Sequence, residues 1–293
     1  MNYKKGKYAL SVLRNQIKSR IQFYHLSVIS AFYKTKLSGL QSFCWFMGYP
    51  RTGHTLIAAI VDAHPQCCIA DEWDILFHLN QGYNRFMLYA GLANSSARFR
   101  KHGNKRSGHN YSVENMWQGR YSNLQIIGDK SPGRTFKILE KNPDMLVQLS
   151  KTIDLPVKCL HILRNPFDAI ASMIIRHARK FNIEDYEKIP YQDLTERFFS
   201  KVETNNRIID SGRFDIHAIY HEDFLEQPAF HLDKLLHFFN LESTPEYIAA
   251  CCKIVHKTPD KTRYQVPWNK NEIDLISENI RKYDFLKRYT FES

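Results

Sequence analysis

The chain has 293 residues, 43% of them hydrophobic and 24% charged, with 12 glycines and 11 prolines. This ordinary globular usage excludes a disordered chain, a collagen and a disulfide-stapled miniprotein, and it sets an expectation of one large α/β domain. The formal charge of +11 is unevenly placed: nine basic residues precede the first acid, Asp62, and beyond that point 32 basic residues face 30 acidic ones. The excess therefore belongs to an N-terminal arm, and the body is nearly neutral.

In the arm, residues 1–40, Leu13, Ile17, Ile21, Tyr24, Val28 and Phe32 recur every three or four positions between Tyr8 and Tyr33. This spacing predicts an amphipathic helix with a basic outer face. Such a helix packs on the domain, lies on an anionic lipid surface, or serves as a transit peptide. No run of 18 apolar residues occurs, so no spanning helix is expected. The stretch 21–33 carries Gln22, His25, Ser27 and Ser30 and precedes no small-residue cleavage site, so no signal peptide is expected either.

From residue 41 onward, five short apolar runs are bounded by breakers: 43–47, 67–70, 124–127, 157–163 and 216–220. They do not alternate, as befits strands buried on both faces. Helical stripes lie between and after them: Leu56, Ile57, Ile60 and Val61, then Ala169, Met173 and Ile174, then Leu232, Leu235, Leu236 and Phe239. The pattern predicts a P-loop-like, doubly wound parallel sheet flanked by helices. The segment 76–123 interrupts the rhythm and is rich in cations, among them Arg98, Arg100, Lys101, Lys105 and Arg106. Within a single domain over 41–293, it is expected as an acceptor-side insertion or a solvated loop.

The first predicted strand ends in Gly48-Tyr49-Pro50-Arg51-Thr52-Gly53-His54-Thr55. Two glycines five apart, ahead of a helix, let backbone N–H groups approach an anion. A nucleotide-hydrolysing loop carries Lys where His54 stands. Here Thr55 is retained and the cation is Arg51, inside the loop. An imidazole is partly neutral at pH 7 and is a poor permanent charge for a triphosphate, which argues against a kinase or NTPase. The fourth predicted strand runs into Arg164-Asn165-Pro166, with Ser172 eight residues past the arginine. Arg164 sits at the ligand edge of such a sheet, Pro166 suits a helix start, and Ser172 can share an anion with Arg164 only if the chain doubles back. Two anion sites suit a ligand with phosphates at both ends.

These residues resemble the two donor motifs of sulfotransferases, which use 3′-phosphoadenosine 5′-phosphosulfate (PAPS). The run from Tyr49 to Leu56, followed by Asp62-Ala63-His64-Pro65, is especially similar to tyrosylprotein sulfotransferases and their bacterial relatives. Gly128-Asp129-Lys130-Ser131-Pro132, His221-Glu222-Asp223-Phe224 with Pro228, and Tyr283, Phe285 and Leu286 resemble further family segments in the expected order. The resemblance implies that Arg51, Thr52, Gly53, His54 and Thr55 hold the 5′-phosphosulfate. It implies that Arg164 and Ser172 hold the 3′-phosphate, with Lys261 and Arg263, beside Thr258 and Thr262, in a loop closing over it. It also implies Glu72 as the base, with Asp71 beside it, and Lys130 near the bridging oxygen. His54 and His78 stand as alternative bases. In-line sulfuryl transfer to a hydroxyl or amine is then expected, with cations in place of a metal.

Glu222 and Asp223 are expected to be structural, and His64 to terminate its helix. An acceptor that is a glycan, lipid, peptide or small molecule, peripheral membrane contact through the arm, and no nucleic-acid partner complete the expectations. The competing classes are a P-loop kinase or NTPase and a non-catalytic adenosine-phosphate-binding module at a membrane. The six cysteines form no C-x-x-C and mostly sit in apolar runs, as buried reduced thiols do, which favours a reducing, cytoplasmic setting.

Overall fold

The computed structural model describes residues 20–32, 37, 39–130, 134–256 and 258–293. Much of the predicted arm, and Ser131 and Pro132, lie outside these. The sheet strands are β1 (Ser42–Gly48), β2 (Cys67–Asp71), β5 (Ile126–Lys130), β6 (Val157–Leu163) and β7 (Asp215–Tyr220), and β3 (Lys105–Arg106) and β4 (His109–Asn110) form a separate small hairpin. The five-stranded sheet has the order β2-β5-β1-β6-β7, and every pairing in it is parallel. β1 is buried along its whole length, as its uninterrupted apolar sequence requires.

Helices cover both faces. They are α1 (His54–Asp62), α2 (Ile75–Asn80), α3 (Arg85–Lys101), α4 (Arg134–Lys141), α5 (Met145–Ile153), α6 (Pro166–Phe181), α7 (Tyr191–Asp210), α8 (His221–Glu226), α9 (Pro228–Phe238), α10 (Pro245–Cys252) and α11 (Lys270–Arg281). α6 opens on Pro166 at its first position, and the Asn165 side chain accepts the Phe167 amide at 3.0 Å. Proline is tolerated there because its missing N–H has no intrahelical partner to lose.

The register brings the ends of the strands to one edge. Gly48 pairs with Ile162, Asp71 with Lys130, and Leu163 with Tyr220. The residues that follow, Tyr49 to Gly53, Glu72, Arg164 and His221, therefore share the carboxyl edge, where ligands of open α/β sheets bind. Asp62, at the far end of α1, ties that helix to its neighbours: its carboxylate accepts from the Ile69 amide at 2.7 Å, the Gly119 amide at 2.9 Å and the Ser96 hydroxyl.

The segment 76–123 folds rather than floats. α3 follows an Asn84 cap that accepts from Phe86 and Met87, and it buries Met87, Leu88, Tyr89, Leu92 and Ala93 in the core. Residues 20–29 are helical, but the predicted stripe is not the face that packs. Leu26 joins the core with Phe23 and Ile29 against it, whereas Ile21, Tyr24 and Val28 are exposed. The spacing identifies one apolar stripe, yet this helix carries two, and the core takes the shorter one.

All six cysteines are unpaired; five are buried and Cys252 is half-buried. Burial pushes the thiols up, Cys251 to about 12. Among the described residues, no helix is long and apolar enough to cross a membrane.

Candidate active site

The loop after β1 turns through two left-handed residues, Arg51 at φ 69 and Gly53 at φ 92. Thr52 locks it: its buried hydroxyl donates to the Tyr49 carbonyl at 2.9 Å and accepts the Tyr49 amide at 3.4 Å. Intrahelical bonding in α1 begins with the Leu56 and Ile57 amides on the Gly53 carbonyl. The amides ahead of them are the open donors of a helix N-terminus.

Both glycines are required by imidazoles. A Cβ on Gly48 would lie 1.8 Å from His54 Nε2, and one on Gly53 would lie 2.6 Å from His221 Nδ1. Burial holds His54, His161 and His221 down to about 3, with neighbouring cations adding to the effect at His54 and His221. They are neutral at pH 7, so His54 brings no charge to the loop; it is packing beneath Gly48. His161 sits 2.6 Å from the Tyr49 hydroxyl.

Cations crowd the loop. Burial, then Arg176, Arg164 and Arg179, hold the Arg51 guanidinium below its ordinary range. Arg164 donates to the Arg51 carbonyl at 3.0 Å and to the Asp260 carbonyl at 2.5 Å. It thus fastens the loop after β1 to the C-terminal segment. Arg164 Nε and His221 Nδ1 are buried without a hydrogen-bond partner among the described residues.

The chain does double back over α6. Ser172 Oγ lies 3.5 Å from Thr262 Oγ1, which itself donates to the Asp168 carbonyl at 2.9 Å. Lys261 is exposed beside it. Arg263 takes a different place. It is 2% exposed, meets Asp168 Oδ2 at 3.0 Å and Oδ1 at 3.1 Å, and donates to the Thr290 and Phe291 carbonyls. Its donors are committed to clamping the C-terminus, so the expected phosphate contact does not fit its position.

Across the loop, Lys130 Nζ lies 3.2 Å from Thr55 Oγ1, 2.5 Å from Asp71 Oδ1 and 3.3 Å from Glu72 Oε1. Lys130 is 3% exposed, and burial holds its ammonium below the usual lysine range despite Asp71. Glu72 adopts φ 54, a left-handed conformation for a residue with a Cβ, and such strain clusters at functional sites. From the β3–β4 hairpin, Arg106 pairs with Asp71 at 2.5 Å and with the second Glu72 oxygen. Asp71 and Glu72 are thus gripped together by two cations, and Glu72 is the more exposed of the two, with side-chain exposures of 27% against 10%. His78 is buried and stacked on Trp73 at 4.0 Å.

Arg106, Tyr111, Arg176, Arg179 and His221 are neighbours of the site that sequence reasoning did not assign a role. Arg176 and Arg179 lie four and seven residues past Ser172, which is helical spacing on one face and was legible once Ser172 was placed. Glu222 and Asp223 are structural: Glu222 accepts the Asn165 amide and the Tyr289 hydroxyl, and Asp223 pairs with Arg288. His64 closes the end of α1, with Nδ1 accepting the Gln66 amide.

Residues 46–246 match the model of the Sulfotransferase family. The chain belongs to the sulfotransferase family. Among solved structures, it is similar to sulfotransferase STF9 from Mycobacterium avium, with 10% identity, 91% of this chain and 82% of that chain covered, and a TM-score of 0.55. Similar too are the sulfotransferase domain of the curacin biosynthetic pathway (13% identity, 83% and 98% covered, TM-score 0.49) and mouse SULT7A1 complexed with PAP (14%, 87% and 92%, 0.47). No curated protein sequence matches the chain. This sulfotransferase therefore has the family's parallel sheet, with the loop, Arg164, Glu72 and Lys130 at one edge. Among the described residues, no group of three or more His, Cys, Asp or Glu is placed to hold a metal ion.

Proposed function

We propose that this sulfotransferase uses PAPS as donor, a hydroxyl or amine as acceptor, and Glu72 as the base. The observation that carries this reading is a continuous line of contacts. Arg164 holds the Arg51 carbonyl of the loop, the loop runs into Thr55 in the first turn of α1, Thr55 meets Lys130, and Lys130 meets Glu72. The residues fit the donor. The glycine turn, the open amides, and Arg51 with the three arginines that act on it (Arg164, Arg176 and Arg179) suit a dianionic nucleotide, and the partnerless Arg164 Nε and His221 Nδ1 are polar groups open to a ligand.

When bound, the donor supplies the sulfuryl group and leaves as adenosine 3′,5′-bisphosphate. Arg51 and the amides of Gly53, His54 and Thr55 hold its 5′ end; Arg164 and Ser172 hold its 3′ end, with the exposed Lys261 beside them. Lys130 brings a buried positive charge to the mouth of the loop, where charge develops during transfer. Glu72 accepts the proton of the attacking acceptor group, and Arg106 holds the carboxylate in position until the acceptor arrives.

The experiment is transfer of labelled sulfate from PAPS to a panel of glycans, lipids, peptides and small phenols. Glu72→Gln lowers turnover by about 10²–10⁴-fold, the usual contribution of a general base, and spares bisphosphate binding. Retained turnover in that variant refutes the base assignment. Donor binding without transfer to any acceptor points instead to a non-catalytic module.

A further inference from the structure

The helical residues 20–29 touch the domain with one face and present another to solvent. Leu26 is in the core, and Phe23 meets Tyr83 edge-on at 5.1 Å. On the opposite side Ile21, Tyr24 and Val28 are 63, 69 and 70% exposed. At ~100° per residue these three fall within an arc of about 60°, so they form a single apolar stripe. The sequence carries the same spacing upstream through Ile17 and Leu13, outside the described residues. Beside the stripe opens a cavity of about 520 Å³, lined by Gln22 and His25 of this helix and by Trp73, Arg98, Lys101 and His102 of the domain. No acidic residue lines it.

We propose that this face is a docking surface for an anionic lipid bilayer. Ile21, Tyr24 and Val28 enter the boundary between head groups and acyl chains, and Arg98, Lys101 and His25 at the cavity receive a phosphate-bearing head group. Two independent features point to this one occupant. An exposed apolar stripe alone would suit any hydrophobic partner. A flanking arm with eight basic residues and no acid in residues 1–40, and a neighbouring cavity with Arg98 and Lys101 in its lining, select a surface that is apolar within and negative at its rim. Tyrosine in the stripe suits the same boundary, where one end of the ring is apolar and the other wet. Docking in this way leaves the carboxyl edge of the sheet and its donor residues unused, so the proposal stands apart from the choice of donor.

The test is flotation of the full chain with vesicles of phosphatidylcholine, alone or with about 30% phosphatidylserine, at roughly physiological salt. Binding at least about tenfold stronger to the anionic vesicles, and weakened by added salt, is expected. Each Lys or Arg near an anionic surface contributes about fivefold in affinity, so Arg98→Glu with Lys101→Glu weakens binding by at least about 20-fold. Ile21→Asp with Val28→Asp abolishes it. Both pairs are exposed, so the thermal midpoint and bisphosphate binding stay unchanged, which separates this outcome from misfolding and from failure of the donor assignment.

Failure of the wild-type chain to bind, equal binding to neutral vesicles, or undiminished binding by the stripe variant overturns the proposal. A stripe variant that turns a dimer into a monomer without any vesicle binding assigns the face to a second copy of the chain. Full competition by millimolar inorganic phosphate assigns the cavity to free anions.

Discussion

Gly53→Ala tests the construction of the loop after β1 through two separable costs. The residue stands at φ 92, where a Cβ meets the backbone, and the penalty for an L-residue in left-handed conformations is about 1–2 kcal/mol. The new Cβ would also lie 2.6 Å from His221 Nδ1 and 2.9 Å from Cε1, where ordinary contacts begin at 3.4 Å. Overpacking of this kind costs about 1–3 kcal/mol. Together the two predict a loss of roughly 2–5 kcal/mol, or a thermal midpoint lower by about 5–15 °C for a chain of this size. Adding His221→Ala removes the collision and leaves the backbone cost, so the double variant recovers only part of the loss. Thermal melts of the two singles and the double, with titration of adenosine 3′,5′-bisphosphate, read both parts. A Gly53→Ala variant that melts within about 2 °C of the wild type and binds the bisphosphate equally well refutes the reasoning.

Arg106→Ala should lower kcat by about tenfold or more with bisphosphate affinity unchanged, and Arg106→Lys should restore part of it; steady-state kinetics with the identified acceptor decides. Acid should destabilise the fold. His161 is about 3 when folded and near 6.5 when unfolded, so its contribution is present above pH 6.5 and is lost as pH falls toward 3. The loss is up to ~1.4 kcal/mol per pH unit, and denaturant melts between pH 7 and 4 should show a shallower slope in His161→Gln. Asp168→Ala should cost about 3–5 kcal/mol by leaving the buried Arg263 unpaired, with a melt shift larger than that of Lys261→Ala.

The sheet was largely legible because strands buried on both faces announce themselves as apolar runs. β6 spans Val157–Leu163, as its sequence alone suggests. β5 runs instead over Ile126–Lys130, because its polar end is satisfied by tertiary partners: the Asp129 carboxylate accepts the Trp73 and Ile75 amides, and Lys130 meets Asp71. Nothing local reveals those partners. The same limit hid α3, whose first half is buried on several sides and shows no clean stripe, and hid Arg106, which reaches Asp71 and Glu72 only through the hairpin. The position of Arg51 and Arg164 at the carboxyl edge of the sheet was legible from the glycine spacing and the strand end. Arg263 was not, because an arginine beside Thr262 looks the same in sequence whether it faces a phosphate or the buried Asp168.

Calorimetry of adenosine 3′,5′-bisphosphate on the metal-free chain tests most directly whether the loop and Arg164 grip one nucleotide. The account predicts saturable binding that is indifferent to chelator and is weakened about 100-fold by Arg164→Ala. A heat signal from ATP that requires Mg²⁺, with none from the bisphosphate, contradicts it.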